Sequence, residues 1–306
     1  MIYTVTLNPA LDCFLRPDEF VPGGVCRYDK ALFLPGGKGV NVSLLLESLG
    51  VDTVASGVAA GFTGRELMAL LEERGCPVDF TELSNGRTRV NIKILPEGQP
   101  ETALNGGGPE VTAEDLRPLE HRLSELSGGD FLVLAGSVPG SLPKDIYARL
   151  MRAAPGGVET VVDASGPALR EALSERPFLI KPNLEELGEV FGVKLAGAED
   201  AVSYGKRLQE LGARNAAVTL GGGGALLLTE DGRVLERAAL PGREVSSVGA
   251  GDSFVAGFLY GYIRERDMDR AFDWAVCAGA ATAFSNGIAD GEQVKKLFRE
   301  HFLIEN

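Results

Sequence analysis

The ten residues VGAGDSFVAG (248–257) set two glycines around an alanine, then an aspartate, then the start of a helical pattern. Small residues at a helix start leave backbone N–H groups open, and the helix dipole reinforces them, so the turn suits an anion. Yet a carboxylate, Asp252, stands inside it. An acid in an amide-lined nest has one good chemical reading. It accepts the proton of an attacking hydroxyl while the nest steadies negative charge on a group in transfer. The helix dipole also helps keep Asp252 ionised. The plainer reading is an aspartate that only caps the helix.

Outward from this turn the chain alternates strand-like and helix-like runs. IYTVTL (2–7) reads as a strand. GVNVSLLLESLG (39–50) reads as a helix closed by Gly50, and VDTVASGVAA (51–60) as the next strand. Thr63 and Glu66 have capping-box spacing before a helix that closes at Gly75. Buried strands are expected at 130–137, 159–165, 178–183 and 216–221, with helices around 143–154, 167–174, 184–191 and 198–211. The last third reads as helices at 252–266, 268–286 and 290–301. Such alternation predicts parallel βαβ units and an open sheet covered on both faces. Residues 12–35 and 87–105 break the rhythm with Pro/Gly punctuation and β-like alternation. They read as a small β-structure beside the main sheet, a lid or a dimer contact, against the alternative of irregular loops. No repeat or linker divides the chain, so one domain over 1–306 is expected.

Bulk composition narrows the function. The 306 residues are 44% hydrophobic and 24% charged, with a formal net charge of −13. That charge repels nucleic acid and anionic membranes. A phosphorylated ligand must therefore be held by a few local cations and backbone amides. The four cysteines are scattered without a CxxC, which suits reduced thiols. The two histidines, His121 and His301, lie in charged helix-like segments and read as solvated surface groups. The N-terminus lacks the basic flank of a signal peptide. The longest apolar run, near Trp274–Phe284, is far short of the ~20 residues that span a bilayer. A soluble, cytoplasmic protein is expected.

Ligands of open α/β sheets bind at the carboxyl ends of the parallel strands. LNPALD, GSVPGS, DASG, KPNLEE and LGGGGA all fall just after expected strands. PGGKGVNVS (35–43) is not a Walker A loop, because Leu32 and Gly39 stand where a Gly and a Ser/Thr are needed. It suits a polar ligand near the backbone, with Lys38 and Asn41 directed at it, or a glycine turn that caps a helix. TLGGGGALL (219–227) suits nucleotide phosphates or a hairpin turn. In KPNLEELGE (181–189), Asn183 and Glu186 share one helical turn. They suit a hydrated Mg²⁺ or an Asn N-cap with its capping-box acid. In GRTRVN (86–91), strand alternation would put Arg87 and Arg89 on one face, as a phosphate fork or as surface charge.

PGGKGVNV and VGAGDSFVAG together resemble the signature of the ribokinase-like (PfkB) carbohydrate kinases, with LNPALD, AGSVPGSLP, VVDASG, IKPNLEEL and TLGGGGALL in the expected order. The resemblance spans nearly the whole chain. TVTLNPALD, PGGKGVNV, GRTRVNIKI and NGGGPEVT are most like the 1-phosphofructokinase branch. It implies a three-layer α/β/α fold, with a mostly parallel central sheet and a small β-sheet lid. It also implies ATP-dependent phosphorylation of fructose 1-phosphate, with Mg²⁺. Kinases of tagatose 6-phosphate and of fructose 6-phosphate are near relatives. Asp252 matches the family's catalytic base, and the amides of Gly249, Ala250 and Gly251 its anion hole. Asp12, Gly37, Lys38 and Asn41 match the sugar-binding set, with Arg89 on the substrate phosphate and Ser137 nearby. Lys181, Asn183 and Glu186 match the segment near the ATP phosphates and Mg²⁺. Thr219, Gly221, Gly222 and Gly224 match the nucleotide loop, and the stretch Ala278–Asn286 the adenine side. Family members often form homodimers through the lid. Four unbroken glycines at 221–224 depart from the usual loop, which carries one non-glycine, and imply a looser loop. Two other classes compete: a sugar-phosphate-binding regulator without catalysis, and a nicotinamide-dependent dehydrogenase. The second lacks the GxGxxG expected after the first strand.

Overall fold

Strand β1 (Ile2–Thr6) is buried at every residue, which marks it as a central strand. The computed structural model describes residues 1–303. After β1 the chain runs through β2 (Ala10–Pro17) and β3 (Tyr28–Gly36), then α1 (Lys38–Leu49), β4 (Thr53–Ala60), α2 (Gly61–Glu72) and β5 (Val78–Leu83). β6 (Arg89–Ile94), β7 (Thr102–Asn105) and α3 (Arg117–Ser124) follow. Then come β8 (Phe131–Ala135), α4 (Ile146–Ala153), β9 (Glu159–Asp163), α5 (Gly166–Ala172), β10 (Leu179–Ile180) and α6 (Leu184–Phe191). The chain continues with α7 (Ala198–Glu210), β11 (Asn215–Thr219), β12 (Ala225–Leu228) and β13 (Val234–Arg237). It ends with α8 (Ala250–Glu265), α9 (Met268–Ala283) and α10 (Gly291–Phe302).

The main sheet has nine strands in the order β13-β12-β11-β10-β9-β8-β1-β4-β5. From β5 to β11 every pairing is parallel, and the β11–β12 and β12–β13 pairings are antiparallel. Side chains alternate across it. Phe131, Val133 and Ala135 of β8 join one core with α1, α8, α9 and α10, while Leu132 and Leu134 join a second core with α3–α7. The result is three layers, helices on sheet on helices. The chain leaves β1 for β4 on one side and later returns to β8 on the other. β1 and β8 therefore flank the point where the strand order reverses, which is where such sheets bind ligands.

The two interrupting segments form a second sheet of four strands, order β3-β2-β6-β7. Its central pair, β2–β6, is parallel and sets Asp12 beside Asn91. β3 is exposed over its first six residues.

Several local expectations give way to tertiary context. Thr63 does not cap α2, which begins two residues earlier with Ala60 at its N-cap. Its hydroxyl donates instead to the carbonyl of Thr88 (2.7 Å), tying the helix to the second sheet. Arg87 precedes β6, so strand alternation does not pair it with Arg89. It lies over the Phe62 ring, 5.6 Å from its centre. β10 shortens to two residues of the expected 178–183, because the chain then turns into the α6 cap. β5 and α3 lie in stretches that sequence patterning left unassigned. Gly50 does close α1, with φ of 80°.

Candidate active site

Gly249 has φ of 80°, a left-handed turn that suits glycine and starts α8 with open N–H groups. A Cβ there would lie 2.4 Å from Ile288 Cδ1. The Ala250 N–H is taken by the Ser247 carbonyl (3.2 Å), so Gly249 and Gly251 carry most of the nest's free donor capacity. Asp252 follows in the first turn of α8 and is only 7% exposed. Asn41 Nδ2, from the first turn of α1, donates to Asp252 Oδ2 at 2.7 Å. Burial and the nearby Asp163 charge push the Asp252 carboxyl up to about 6, while Asn41, Lys38 and Lys181 pull it back. The result is an acid that stays ionised near neutral pH but is basic enough to accept a proton.

Asp163 ends β9 and is fully buried. Its Oδ1 accepts Lys38 Nζ at 2.9 Å and lies 3.4 Å from Lys181 Nζ; its Oδ2 is buried without a protein partner. Lys38 also reaches Glu186 Oε1 at 3.1 Å. Burial disfavours the Lys38 charge, but Asp163 and Glu186 outweigh it and raise its pKa well above the usual lysine range. Lys38 is thus turned toward the acids at the ends of β9 and α6. Lys181 approaches α8 as well: a Cβ on Gly251 would sit 3.1 Å from its Nζ.

Asn183 caps α6. Its side chain accepts from the Glu186 N–H (2.7 Å), and Glu186 Oε2 accepts from the Asn183 N–H (2.9 Å). The capping-box reading of KPNLEE is therefore realised. Asn183 also bridges to Thr219 at the end of β11. Gly221–Gly223 then form one tight turn, and Gly224, at φ of 91°, packs where a Cβ would meet the Arg237 carbonyl at 2.1 Å. The loop is thus both a hairpin turn and a backbone surface open to a ligand. Asn286 lies on an exposed turn after α9. Among the described residues no hydrogen bond ties it to the glycine loop, although Val245 and Ser246 N–H groups bond the Ala283 carbonyl nearby.

A second set lines the side facing the small sheet. Asn91 Nδ2 donates to Asp12 Oδ1 at 2.8 Å. Burial raises the Asp12 carboxyl, against the opposing pull of Asn91, Lys93 and Arg89. A Cβ on Gly36 would lie 2.3 Å from Asp12 Oδ2, so the carboxylate rests on that glycine. Gly37 has φ of 125°, and its Cβ position is filled by Thr6 and Pro9. Arg89 is half-buried, and its Nε donates to the Asn8 carbonyl at 3.2 Å. Ser137, after β8, accepts from Asn8 Nδ2 at 3.1 Å. The two sets meet at Gly136, whose Cβ position is 3.7 Å from Lys38 Cβ. Asp163 and Asn8 escaped assignment from sequence. The signal for Asp163 was an acid closing the apolar strand run TVVD at a ligand-binding sheet edge.

Among the described residues no three or more His, Cys, Asp or Glu side chains cluster to hold a metal. Glu186 already shares its oxygens between Lys38 and the Asn183 N–H. That donor set fits a hydrated Mg²⁺ brought in on phosphates and touched largely through water, not a resident ion. No helix among the described residues is long and apolar enough to cross a membrane.

Comparison with known proteins gives the family of the chain. The family described as pfkB family carbohydrate kinase matches residues 9–294. The chain is 43% identical over 302 residues to a 1-phosphofructokinase of Bacillus subtilis, covering 98% of each chain. It is 36% identical over 292 residues to a D-tagatose-1-phosphate kinase of Bacillus licheniformis, covering 95% of each. Phosphofructokinase-2 from Escherichia coli superposes with a TM-score of 0.91 at 29% identity, covering 98% of each chain. The three layers and small second sheet are the ribokinase-like fold. The chain belongs to the pfkB family of carbohydrate kinases and is a phosphotransferase acting on an alcohol group.

Proposed function

We propose that the chain transfers the γ-phosphoryl group of ATP to the free primary hydroxyl of fructose 1-phosphate, giving fructose 1,6-bisphosphate. The observation that carries this reading is Asp252, a buried carboxylate raised to about 6, held by Asn41 at the open N-terminus of α8. Asp252 takes the hydroxyl proton as the oxygen attacks. The N–H groups of Gly249 and Gly251, with Ala250 closing the turn, face the charge that develops on the phosphoryl group. Asp12, Gly37, Lys38 and Asn41 orient the sugar. Arg89 and Ser137 take its phosphate. Lys181, Asn183, Thr219, Gly221, Gly222, Gly224 and Asn286 form the nucleotide side. Mg²⁺, when bound with the nucleotide, neutralises phosphate charge, and Glu186 and Asn183 are the residues placed to hold its water shell. Lys38 bridges both sides, so release from Glu186 would free it for the transferring group.

The small sheet is read as a lid that excludes water, so that the sugar hydroxyl attacks in its place. Tyr28, Leu32, Phe33 and Leu104 are exposed apolar side chains on β3 and β7. They support pairing with a second copy of the chain through that sheet.

A second reading, D-tagatose 1-phosphate as acceptor, is favoured by the Bacillus licheniformis relative. Tagatose differs from fructose at a single carbon and can present the same phosphate and free arm. A coupled ADP-release assay with ATP and Mg²⁺ separates the readings. It compares fructose 1-phosphate, tagatose 1-phosphate, fructose 6-phosphate, tagatose 6-phosphate and fructose by kcat/KM. A hundredfold preference for fructose 1-phosphate, about 2.7 kcal/mol at the transition state, supports the proposal. Preference for another ketose phosphate replaces the substrate and keeps the site. No ADP release with any of them leaves a binding protein.

A further inference from the structure

Asn8 follows β1, Ser137 follows β8, and Arg89 opens β6, so three separate stretches of chain meet at one asparagine. The Asn8 carbonyl accepts from Arg89 Nε at 3.2 Å, and its carboxamide Nδ2 donates to Ser137 Oγ at 3.1 Å. The second contact spans the reversal point between β1 and β8. The remaining atom, Asn8 Oδ1, is buried without a partner. It lies against Gly108, whose Cβ, if present, would be 2.4 Å away. Gly106 is pinned in the same way. Its N–H donates to the Val90 carbonyl at 3.2 Å, and its Cβ position is 2.6 Å from that oxygen. Gly108 of the NGGGP loop (105–109) therefore closes over the Asn8 carboxamide as only a glycine allows, while Gly106 ties the loop to Val90.

We infer that Asn8 is a positioning residue for the substrate's own phosphate: its carboxamide sets the Ser137 hydroxyl, across the β1–β8 gap, in register with the Arg89 guanidinium that the Asn8 main-chain carbonyl anchors whatever the side chain. The inference rests on the reading above that Arg89 and Ser137 receive that phosphate. With Nε engaged, the two terminal guanidinium nitrogens remain, and no hydrogen bond within the described residues takes them. They form the fork that suits a phosphate. Fixing the fork and the hydroxyl before the substrate arrives lowers the ordering cost of binding. The orphaned Oδ1 is the cost of that arrangement, tolerated at a site as buried polar strain often is.

The test is a KM-against-kcat comparison of Asn8→Ala, Asn8→Asp and Gly108→Ala with wild type. Substrates are fructose 1-phosphate and unphosphorylated fructose. Asn8→Ala is expected to raise KM for fructose 1-phosphate about tenfold and to leave kcat and the KM for ATP within about twofold. Its kcat/KM for fructose should stay near wild type, so the preference for the phosphorylated sugar falls about tenfold. Asn8→Asp is nearly isosteric but adds negative charge beside the fork. It should cost more than Asn8→Ala with fructose 1-phosphate and, like it, leave kcat/KM for fructose near wild type. A purely structural asparagine would give the opposite order for fructose 1-phosphate. Gly108→Ala, which presses on Asn8 from the other loop, should repeat the KM effect and carries the test if Asn8→Ala does not fold. Unchanged KM in the variants, or equal losses on both sugars, overturns the inference. A wild type that shows no preference for the phosphorylated sugar fails the functional proposal itself, whatever the variants do.

Discussion

Asp252→Asn should make the protein more stable and nearly inactive at once. The carboxyl rises from 3.8 to about 6 on folding, chiefly through burial and the charge of Asp163. That rise means folding disfavours the ionised form by about 3 kcal/mol above pH 6. An acid raised in this way lowers stability at neutral pH, and the penalty fades as pH falls through 6 and the folded carboxyl takes up its proton. Asparagine fills the same space, and its carbonyl can accept from Asn41 Nδ2 as Asp252 Oδ2 does. Urea unfolding should therefore show the variant up to about 3 kcal/mol more stable at pH 8, with the gap reduced by roughly half at pH 5. Turnover should drop by a factor on the order of 10² to 10⁴, with the KM for ATP little changed. A stability gap equal at both pH values, or a destabilised variant, would falsify the electrostatic reasoning. Near-normal turnover would remove Asp252 from the role of base.

Three further outcomes follow from the same contacts. Asp163→Asn removes a charge that raises Asp252, so the acid limb of kcat/KM against pH should move to lower pH relative to wild type on the same substrate; an unmoved limb refutes the coupling. Gly36→Ala would drive a methyl to 2.3 Å from the Asp12 carboxylate, so the KM for the sugar phosphate should rise at least tenfold while the KM for ATP holds, as steady-state kinetics would show. Glu186→Gln weakens the acid that Lys38 shares, and a Mg²⁺ titration should find half-maximal rate at several-fold higher metal; an unchanged titration argues that Glu186 serves only the α6 cap.

Much of the architecture is legible locally because its signals are local. Gly50 after LLLESL, the alternating strands and helices, and the two β-like interruptions all report short-range preferences that the fold keeps. The unread parts depend on distant partners. β5, VDFTEL, is too polar and mixed to announce a strand; it forms because β4 offers a parallel edge. α3 is only eight residues long and lacks the length that makes periodicity convincing. Thr63 carries capping-box spacing, yet the approach of Thr88 gives its hydroxyl a better acceptor. The site divides in the same way. Asp252, Asn41 and Asn183 stand where local motif logic puts them. The turn of Lys38 toward Asp163 spans 125 residues of sequence, and the meeting of Asn8 with Ser137 spans 129, so no local pattern contains them.

The small sheet is stitched from two excursions that leave and rejoin the main body at different times. Its central seam joins β2, made early in the chain, to β6, made some eighty residues later, and the main-sheet strand β4 with helices α1 and α2 must be placed between them. Each excursion taken singly is no more than a pair of strands, which is marginal in water. The seam therefore pays its loop-closure entropy only after the body has brought the two excursions together, which makes this sheet a late arrival in folding. The same wiring lets it loosen first. A rise in temperature or denaturant should expose the face around Asp12 and Asn91 while the nine-stranded body still holds Asp163 and the α6 cap in place.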